Sequence, residues 1–346
     1  MSGTRADWKI VRTRRRVRPC GATCFPNAVL LDQLCELVTN DASRKRGPRF
    51  TEQNERPLLL HRKEHAMQDF NGKVVVITGG ATGIGFALAG QFAKQGAQLL
   101  IAGIQQERLA HAAEALSKVA TRIETFECNV TDRKQVEALA DFAWEKFGHV
   151  DVIVNNAGVG PIPSTVIDAR PEDVHAVLAV NLFGVWNGVS VFGKRFLKQE
   201  TPAAIYNVGS ENAFFNAIPE GAGYVVSKHG VLAMTVALRE ELPKHIDVAL
   251  ICPGLVRSDL AKETQEGMDT DAYAEVVMKQ IQAGEFYIVS HAFNLVRIKA
   301  RWREIEAAFA RYAPRYDGDV EYDVRTLGVK NNWYPRYPNA AADIPV

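Results

Sequence analysis

Short apolar runs alternate with longer segments of mixed polarity between residues 73 and 313. The runs are rich in Val, Ile and Leu, end in small or polar residues, and predict buried strands. We place these strands at 73–78, 98–102, 122–127, 150–154, 204–208, 245–252 and 285–289. Apolar residues at helical spacing predict helices at 86–95, 105–119, 132–147, 171–198, 222–242 and 291–312. This alternation predicts a doubly wound α/β fold, a parallel sheet of about seven strands with helices on both faces.

The first predicted strand runs directly into a glycine-rich turn, Gly79-Gly80-Ala81-Thr82-Gly83-Ile84-Gly85. A helix follows, and Gly96 stands where a helix C-terminus favours glycine. Glycines let backbone N–H groups approach a pyrophosphate at a helix N-terminus, where the helix dipole is positive. The order of strand, glycine turn and helix therefore indicates a dinucleotide-binding site.

Tyr224 and Lys228 lie four residues apart in the predicted helix 222–242, and so on one helix face. A phenol of ordinary pKa, about 10, holds its proton too tightly at neutral pH, whereas a neighbouring cation lowers that pKa. Such a pair can act as an acid and base. The spacing is common on solvated helices, so its meaning depends on the other motifs in the chain.

The spacing Thr-Gly-x3-Gly-x-Gly, together with Tyr-x3-Lys, resembles the short-chain dehydrogenase/reductase family, and the resemblance extends from Met67 to Ala313. Four further matches occur in the family's order: Asn155-Asn156-Ala157-Gly158, Asn181, Ser210, and Pro253-Gly254-Leu255-Val256-Arg257-Ser258. The resemblance implies a Rossmann fold and an NAD(P)-dependent oxidoreductase. Its reaction would be hydride transfer between nicotinamide and a secondary alcohol or ketone, or an aldehyde.

The resemblance implies four catalytic residues, Asn181, Ser210, Tyr224 and Lys228. Tyr224 would be the general acid or base, and Lys228 would lower the phenol pKa and bond the nicotinamide ribose. Ser210 would hold the substrate oxygen, although a loop serine commonly caps a helix or turn instead. Asn181 would anchor a water on a proton path. Because asparagine is unfavourable in mid-helix, we also expect a contact that compensates for Asn181.

The resemblance also implies a set of cofactor-binding residues. They are Thr78, Gly79, Ala81, Thr82, Gly83, Ile84, Gly85, Gly103, Arg108, Asn129, Val130, Asn156, Ala157, Gly158, Tyr224, Lys228, Pro253, Gly254, Val256 and Ser258. Gly103 stands where NAD-binding relatives carry an acid for the ribose 2′-hydroxyl. A glycine there does not repel a 2′-phosphate, so this position favours NADP, and Arg108 is the candidate partner of the phosphate. NAD stays open as the alternative. Asn129 stands where the family usually has aspartate beside the adenine, and Ser258 stands for a usual threonine at the carboxamide.

The sequence says less about the substrate. We expect Phe214, Phe215, Ile218 and the segment Leu255–Tyr273 to line the pocket, which suggests a small apolar alcohol or ketone. Substrate identity and direction stay open, because one fold serves many substrates. Helices 171–198 and 222–242 pair across two-fold axes in relatives, so we expect a homodimer or homotetramer. A non-catalytic dinucleotide-binding regulator is disfavoured because all four catalytic positions are filled.

Charge is distributed unevenly along the 346 residues, although the formal net charge is only +1. Residues 1–66 hold 14 Lys and Arg against 7 Asp and Glu, whereas the other 280 residues hold 27 against 33. This basic extension has little periodicity, and we expect it to be largely disordered. It could be a transit peptide or a nucleic-acid contact. We favour a third interpretation, a start assigned too early with a native start at Met67. We expect residues 67–313 to form the domain and 314–346 an irregular tail.

The remaining features indicate a cytoplasmic protein without metal, membrane or nucleic-acid binding. Cys20-x3-Cys24 and His61-x3-His65 are too far apart for a zinc finger. Cys128 and Cys252 fall in or beside predicted strands as core thiols, which is typical of a reducing compartment. The most apolar long stretch, 174–192, is interrupted by His175, Asn181 and Asn187, so we predict a buried or interface helix and not a membrane span.

Overall fold

The computed structural model describes residues 67–199, 201–258 and 266–333, and the expectations for residues 1–66 lie outside these ranges. The described chain contains seven strands: β1 Val74–Thr78, β2 Gln98–Gly103, β3 Ile123–Glu127, β4 Val152–Asn155, β5 Ala203–Val208, β6 Ile246–Cys252 and β7 Tyr287–Val289. They form one sheet in the order β3-β2-β1-β4-β5-β6-β7, and every neighbouring pair is parallel. The predicted doubly wound sheet is thus confirmed, with strand ends shifted by one or two residues.

The helices of the described residues alternate with these strands. They are α1 Gly83–Lys94, α2 Gln106–Leu116, α3 Arg133–Phe147, α4 Pro171–Leu178, α5 Val185–Gln199, α6 Ala222–Glu241, α7 Thr270–Gln282, α8 Leu295–Tyr312 and α9 Val324–Lys330. Helix α3 begins after Asp132, whose side chain caps the backbone N–H of Lys134. Each β-α-β unit places one helix against the sheet, as the pattern predicted.

The long helix predicted at 171–198 is interrupted. A π-helical turn, Ala179–Gly184, joins α4 to α5 and contains Asn181. Single π-turns inside helices are rare and occur often at functional sites. The spacing of apolar residues did not predict this turn, because one extra residue in a single turn shifts the apolar face of the helix only locally.

Two further expectations were wrong. Helix α7 was missed, although its buried residues Tyr273, Ala274, Val277, Met278 and Ile281 recur at helical spacing. The tail after Ala313 is not wholly irregular, because a 3-10 turn at Asp319–Tyr322 and helix α9 follow. Asp323 caps α9 by accepting a hydrogen bond from the backbone N–H of Thr326 at 2.7 Å.

The core consists of two layers, one on each face of the sheet. In β1, Val75 and Ile77 face one layer while Val74 and Val76 face the other, as alternation along a strand requires. All four side chains are fully buried. Helices on both faces explain why the strand is apolar at every position.

Within the described residues, the stretch Pro171–Gln199 is the one long and apolar enough, by length and composition, to cross a membrane. Half of its most apolar window is buried inside the protein. Val189, Phe192 and Phe196 of α5 pack into one of the two core layers. The stretch therefore packs as a core element of the fold, as the prediction of a buried helix required.

Candidate active site

The site residues collect at the carboxyl ends of β1, β4, β5 and β6. The chain reverses direction along the sheet between β1 and β4, because β2 lies on one side of β1 and β4 on the other. Ligands of doubly wound sheets bind at such a switch point. Parallel pairing explains why motifs far apart in the sequence meet at one edge of the sheet.

The glycine turn between β1 and α1 is built so that side chains are excluded. Gly79 has a φ of +64°, and a Cβ there would lie 2.9 Å from Ala157 Cα. A Cβ on Gly85 would lie 2.3 Å from the carbonyl oxygen of Gly79. The turn therefore presents bare backbone at the N-terminus of α1, which suits a dinucleotide pyrophosphate. Ala81 and Ile84 pack partly against the core and hold the turn in place.

Thr78 and Asn156 tie this turn to the end of β4. The Thr78 hydroxyl accepts hydrogen bonds from the backbone N–H groups of Asn156 at 3.0 Å and Ala157 at 3.1 Å. The Asn156 amide donates to the carbonyl oxygens of Thr78 at 2.9 Å and Gly79 at 3.1 Å. The hydrogen bonds of both side chains join the ends of β1 and β4. Thr78 and Asn156 therefore fix the shape of the candidate cofactor site.

Asn181 projects from the π-helical turn and is fully buried. Its Oδ1 accepts from the backbone N–H of Val159 at 2.8 Å, and its Nδ2 donates to the carbonyl oxygen of the same residue at 2.9 Å. Nδ2 also lies 3.3 Å from Ser227 Oγ on α6. The compensating contact expected for this mid-helix asparagine is present, and Asn181 links the loop after β4 to the helix that carries Tyr224.

Ser210 and Tyr224 meet at the end of β5. Ser210 is buried beside Tyr224, and its hydroxyl donates to the carbonyl oxygen of Pro253 at 3.3 Å. The backbone N–H and the Nδ2 of Asn212 donate to Ser210 Oγ at 3.2 and 3.3 Å. These donors fix the position of the serine oxygen. Sequence reasoning missed Asn212, although a polar residue two places after a candidate serine is a recognisable turn signal.

Lys228 lies one turn after Tyr224 on α6, as predicted. Its Nζ donates to the carbonyl oxygen of Val208 at 3.1 Å and lies 5.6 Å from the centre of the Tyr224 ring. Burial lowers the pKa of Lys228 from 10.5 to about 8. Burial also raises the pKa of Tyr224, and the hydrogen bond to Ser210 opposes that rise. Burial therefore sets the direction of the Tyr224 pKa in this arrangement, and the lowering of the phenol pKa by Lys228 stays a prediction.

The end of β2 contains the other cofactor candidates. Gly103 is half-buried, and a Cβ there would touch only Leu109 side-chain carbons at 3.7 and 4.0 Å, an ordinary contact. Arg108 is exposed on α2. After β3, the side-chain oxygen of Asn129 accepts from the backbone N–H and hydroxyl of Thr131 at 3.1 and 2.9 Å. Val130 is buried against the π-turn, where a Cβ on Gly184 would lie 2.6 Å from it.

The segment after β6 closes the site from the other side. Pro253 accepts a hydrogen bond from the backbone N–H of Glu211 at 2.9 Å, which joins the ends of β5 and β6. Ser258 comes close to the glycine turn, since its Cβ would lie 3.2 Å from a Cβ on Gly83. Val256 is buried and pairs with Met268. The structure thus brings Ser258 to the candidate cofactor site, as expected.

A buried carboxylate beside the site was not predicted. Glu211 follows Ser210, is buried, and accepts a hydrogen bond from Asn294 Nδ2. Burial raises the pKa of the Glu211 carboxyl, while the Asn294 bond and the neighbouring His291 oppose this rise. A Cβ on Gly254 would overlap both His291 and Glu211, at 2.4 and 2.7 Å. No local sequence pattern indicates this contact, because Asn294 is 83 residues from Glu211.

The residues expected to line the pocket have other roles. The Phe214 ring packs edge-on against Tyr287 at 5.9 Å, and Phe215 is buried. Tyr273 lies fully buried in the core, so this end of the segment Leu255–Tyr273 does not line a pocket, and residues 259–265 lie outside the described residues. A small cleft that reaches Tyr224 is instead lined by apolar groups of the loop after β4 and of α4. They are Ile162, Ala169, Val174 and Val177, and the polar Ser164 and Asp173 line the same cleft.

The chemistry of the described residues fits the predicted class. They contain no cluster of His, Cys, Asp and Glu suited to a metal ion. Cys128 and Cys252 are free and buried, as expected of core thiols. The bare glycine turn fits a dinucleotide phosphate, and the Ser210, Tyr224 and Lys228 side chains converge beside it. Fold and site together define a dinucleotide-dependent α/β enzyme.

Comparison with known proteins supports the same class, a dinucleotide-dependent enzyme. Residues 73–269 match the short chain dehydrogenase family. The chain is 32% identical over 247 residues to 1-deoxy-11-beta-hydroxypentalenate dehydrogenase of Streptomyces avermitilis, covering 68% of this chain and 91% of the relative. It is 32% identical over 216 residues to a 3-oxoacyl-[acyl-carrier-protein] reductase of Thermotoga maritima, covering 62% and 85%.

Among solved structures, a short chain dehydrogenase/reductase from Burkholderia phymatum in complex with NAD superposes with a TM-score of 0.66 and 29% identity, covering 70% of this chain and 97% of that one. The apo form of LigO from a Sphingobium strain gives a TM-score of 0.66 and 29% identity, covering 77% and 98%. The chain belongs to the short-chain dehydrogenase/reductase family. It is an NAD(P)-dependent oxidoreductase that acts on CH–OH groups.

Proposed function

We propose that Tyr224 is the general acid and base of a hydride transfer between a nicotinamide cofactor and a secondary alcohol or ketone, or an aldehyde. The observation that carries this proposal is the convergence of three side chains at the carboxyl end of β5, where the buried Ser210 neighbours Tyr224 and Lys228 Nζ lies 5.6 Å from the centre of the Tyr224 ring. Lys228 lies on the same helix face, with its ammonium over the Tyr224 ring. Acid, oxygen-binding donor and cation are thus available within one small volume.

The mechanism follows from the position of each side chain. A bound nicotinamide would supply or accept the hydride. Ser210 Oγ would hydrogen-bond the substrate oxygen, and Tyr224 would give that oxygen a proton or remove one. Lys228, with a pKa of about 8, would bond the nicotinamide ribose and exchange protons near neutral pH. Asn181, which contacts Val159 and Ser227, would act as a positioning residue on the proposed proton path.

Substitution of the proton donor tests the proposal. An NADPH and NADH oxidation screen across ketones and aldehydes identifies a substrate, and Tyr224→Phe is then compared with the wild type. We expect kcat to fall by about 10²- to 10⁴-fold, because the proton donor is lost. Cofactor affinity, measured by fluorescence titration, should change less than about threefold, because Ser210 and Lys228 remain. Normal turnover by Tyr224→Phe would show that the assignment is wrong.

For the cofactor, we propose NADP over NAD. Gly103 provides no carboxylate at the end of β2 to repel a 2′-phosphate, and Arg108 lies five residues further on. The solved relative from Burkholderia phymatum was crystallised with NAD. The Thr78, Asn156 and Gly79 contacts that shape the turn are compatible with either cofactor, so the preference depends on the end of β2.

Replacing Gly103 with aspartate tests the NADP proposal. A Cβ has room there, since its contacts to Leu109 are 3.7 Å or longer, and φ is not in the left-handed region. We expect Gly103→Asp to lower kcat/KM for NADPH by at least about tenfold and to leave that for NADH equal or higher, because the carboxylate repels a phosphate and accepts from a hydroxyl. Gly103→Asn, which lacks the charge, is the matched control. Equal effects of the two variants on NADPH would contradict the proposal.

For the substrate, we propose an apolar small-molecule alcohol or ketone, because Ile162, Ala169, Val174 and Val177 outnumber the polar Ser164 and Asp173 in the small cleft that reaches Tyr224. Two relatives are named 1-deoxy-11-beta-hydroxypentalenate dehydrogenase and 3alpha-hydroxysteroid dehydrogenase, so by their names both act on a hydroxyl group. We further propose a cytoplasmic location, in keeping with the two buried free thiols. We also propose a homodimer or homotetramer without nucleic-acid or membrane partners.

A further inference from the structure

Helix α8 carries a stripe of large apolar side chains that the rest of the described chain leaves largely uncovered. No residue of the helix is buried. Trp302 is 59% exposed, Phe309 63% and Tyr312 78%. Such a stripe on a folded domain marks an interaction surface.

The spacing of the stripe indicates what covers it. Its members follow one another at intervals of three, four, three, four and three residues. They are Leu295, Ile298, Trp302, Ile305, Phe309 and Tyr312. A helix that packs into a globular core shows a broader apolar face, whereas this narrow seam is the pattern of a two-stranded coiled coil. The occupant is therefore a second helix with the same repeat.

The attachment of α8 leaves the seam accessible along most of its length. The Arg301 guanidinium donates to the carbonyl oxygen of Phe214 at 2.7 Å and to His229 Nε2 at 2.8 Å. Just before the helix, Asn294 donates to the Glu211 carboxylate. These contacts lie at the N-terminal end of α8. The C-terminal turns with Ile305, Phe309 and Tyr312 thus extend beyond the tethered end.

Charge selects the orientation of the second helix. Lys299 and Glu306 lie seven residues apart on one edge of the seam. In an antiparallel pair of two α8 helices, Trp302 of each copy packs against Ile305 of the other. Lys299 of each copy then comes opposite Glu306 of the other, which gives two attractive pairs.

An antiparallel pair also fits the positions of the two protein bodies. Each body is tethered at Asn294 and Arg301, so two-fold symmetry places the Asn294 tethers toward opposite ends of the paired helices and the Arg301 tethers on either side of their centre. A parallel pair would instead bring both bodies to the same end. It would also leave Lys299 of one copy beside Asn294 of the other, and its one attractive pair, Glu306 with Arg301, would compete with the Arg301 bonds to Phe214 and His229.

We propose that the apolar stripe of α8 is a self-association surface on which α8 of a second copy packs antiparallel. The surface is separate from the proposed active site. It is nevertheless connected to the loop after Ser210, because Arg301 holds the Phe214 carbonyl and Asn294 holds Glu211. Self-association would thus order the helix that braces the catalytic loop.

The test is sedimentation equilibrium of the full chain with charge-reversal variants. Lys299→Glu and Glu306→Lys each convert two attractive pairs into two repulsive ones. Each should raise the dissociation constant of the α8-dependent assembly by about tenfold or more. The double variant Lys299→Glu/Glu306→Lys restores opposite charges and should return the constant to within about threefold of the wild type. Trp302→Ser should abolish this assembly.

Circular dichroism and NADPH binding serve as controls for folding, since all three positions are exposed. If the protein also assembles through another surface, Trp302→Ser would still form a smaller oligomer. The measured result is therefore the loss of the largest species. Unchanged sedimentation of Trp302→Ser would overturn the proposal. Failure of the double variant to recover the assembly that both single variants lose would overturn the antiparallel pairing.

Discussion

At the scale of single residues, burial is the main influence on the pKa values of Tyr224 and Lys228 in the candidate site. Tyr224 and Lys228 lie on one helix face beside Ser210, as their spacing predicted. Spacing says which groups meet, but it says nothing about burial. Because Lys228 is almost fully buried, desolvation lowers its pKa, and the same effect raises that of Tyr224. Glu211 could not be anticipated either, because its partner Asn294 comes from a distant part of the chain.

The lowered pKa of Lys228 predicts a pH-dependent stability. In the unfolded chain Lys228 titrates near 10.5, whereas in the folded protein it titrates near 8. Between these values the unfolded state binds more protons, so the unfolding free energy rises with pH by about 1.4 kcal/mol per unit. Below pH 8 both states are protonated and the cost of burying the ammonium, roughly 3 kcal/mol, is fully present.

Urea unfolding of the wild type and Lys228→Met between pH 7 and 10.5 measures this effect. We expect the variant to be more stable at pH 7 and its advantage to shrink steadily above pH 8, because methionine does not titrate. Comparing the two proteins cancels the titration of other groups. A difference that does not change with pH would show that Lys228 has an ordinary pKa.

At the scale of elements, the strands were predictable and the interruption of a helix was not. Each strand has an apolar run that only a doubly covered sheet can bury, so β1 and β6 were found to within two residues. The π-helical turn at Ala179–Gly184 depends instead on one long-range contact. Asn181 pairs with both backbone groups of Val159, which the local sequence does not encode. Helix α7 was not predicted, although its apolar residues recur at helical spacing.

The hydrogen bonds of Asn181 predict a large stability cost for Asn181→Ala. The change leaves the N–H and carbonyl of Val159 without their partners and removes the contact to Ser227. We expect the unfolding free energy to fall by about 2 to 4 kcal/mol. Asn187→Ala is the matched control, because Asn187 makes one bond, to the Val130 carbonyl at 2.9 Å, and should cost about 1 kcal/mol. Equal costs in urea titrations would contradict the role of the π-turn.

At the scale of the whole molecule, parallel topology assembles the site. The motifs after β1, β4, β5 and β6 are separated by tens of residues, and the sheet order brings their carboxyl ends to one edge. The βαβ pattern predicts that the site lies at the carboxyl edge of the sheet. The exposure of the apolar face of α8 could not be predicted, because it depends on which surfaces the folded chain leaves uncovered. The predicted start of the domain at Met67 is also a property of the whole molecule. It can be tested because Met67 and Phe70, among the first described residues, are buried.

A chain that starts at Met67 should retain the wild-type kcat and a melting temperature within about 2 °C, because it keeps every buried residue of the described core. Met67 is 8% exposed and Phe70 is 1% exposed, and the Phe70 ring packs edge-on against Phe92 with centroids 5.0 Å apart. A chain that starts at Lys73 is the matched control, and it should lose about 3 to 5 kcal/mol of stability because Phe70 is removed. If the Met67 chain lost activity while staying folded, the basic residues 1–66 would have a role in function, and the proposed domain boundary would be wrong.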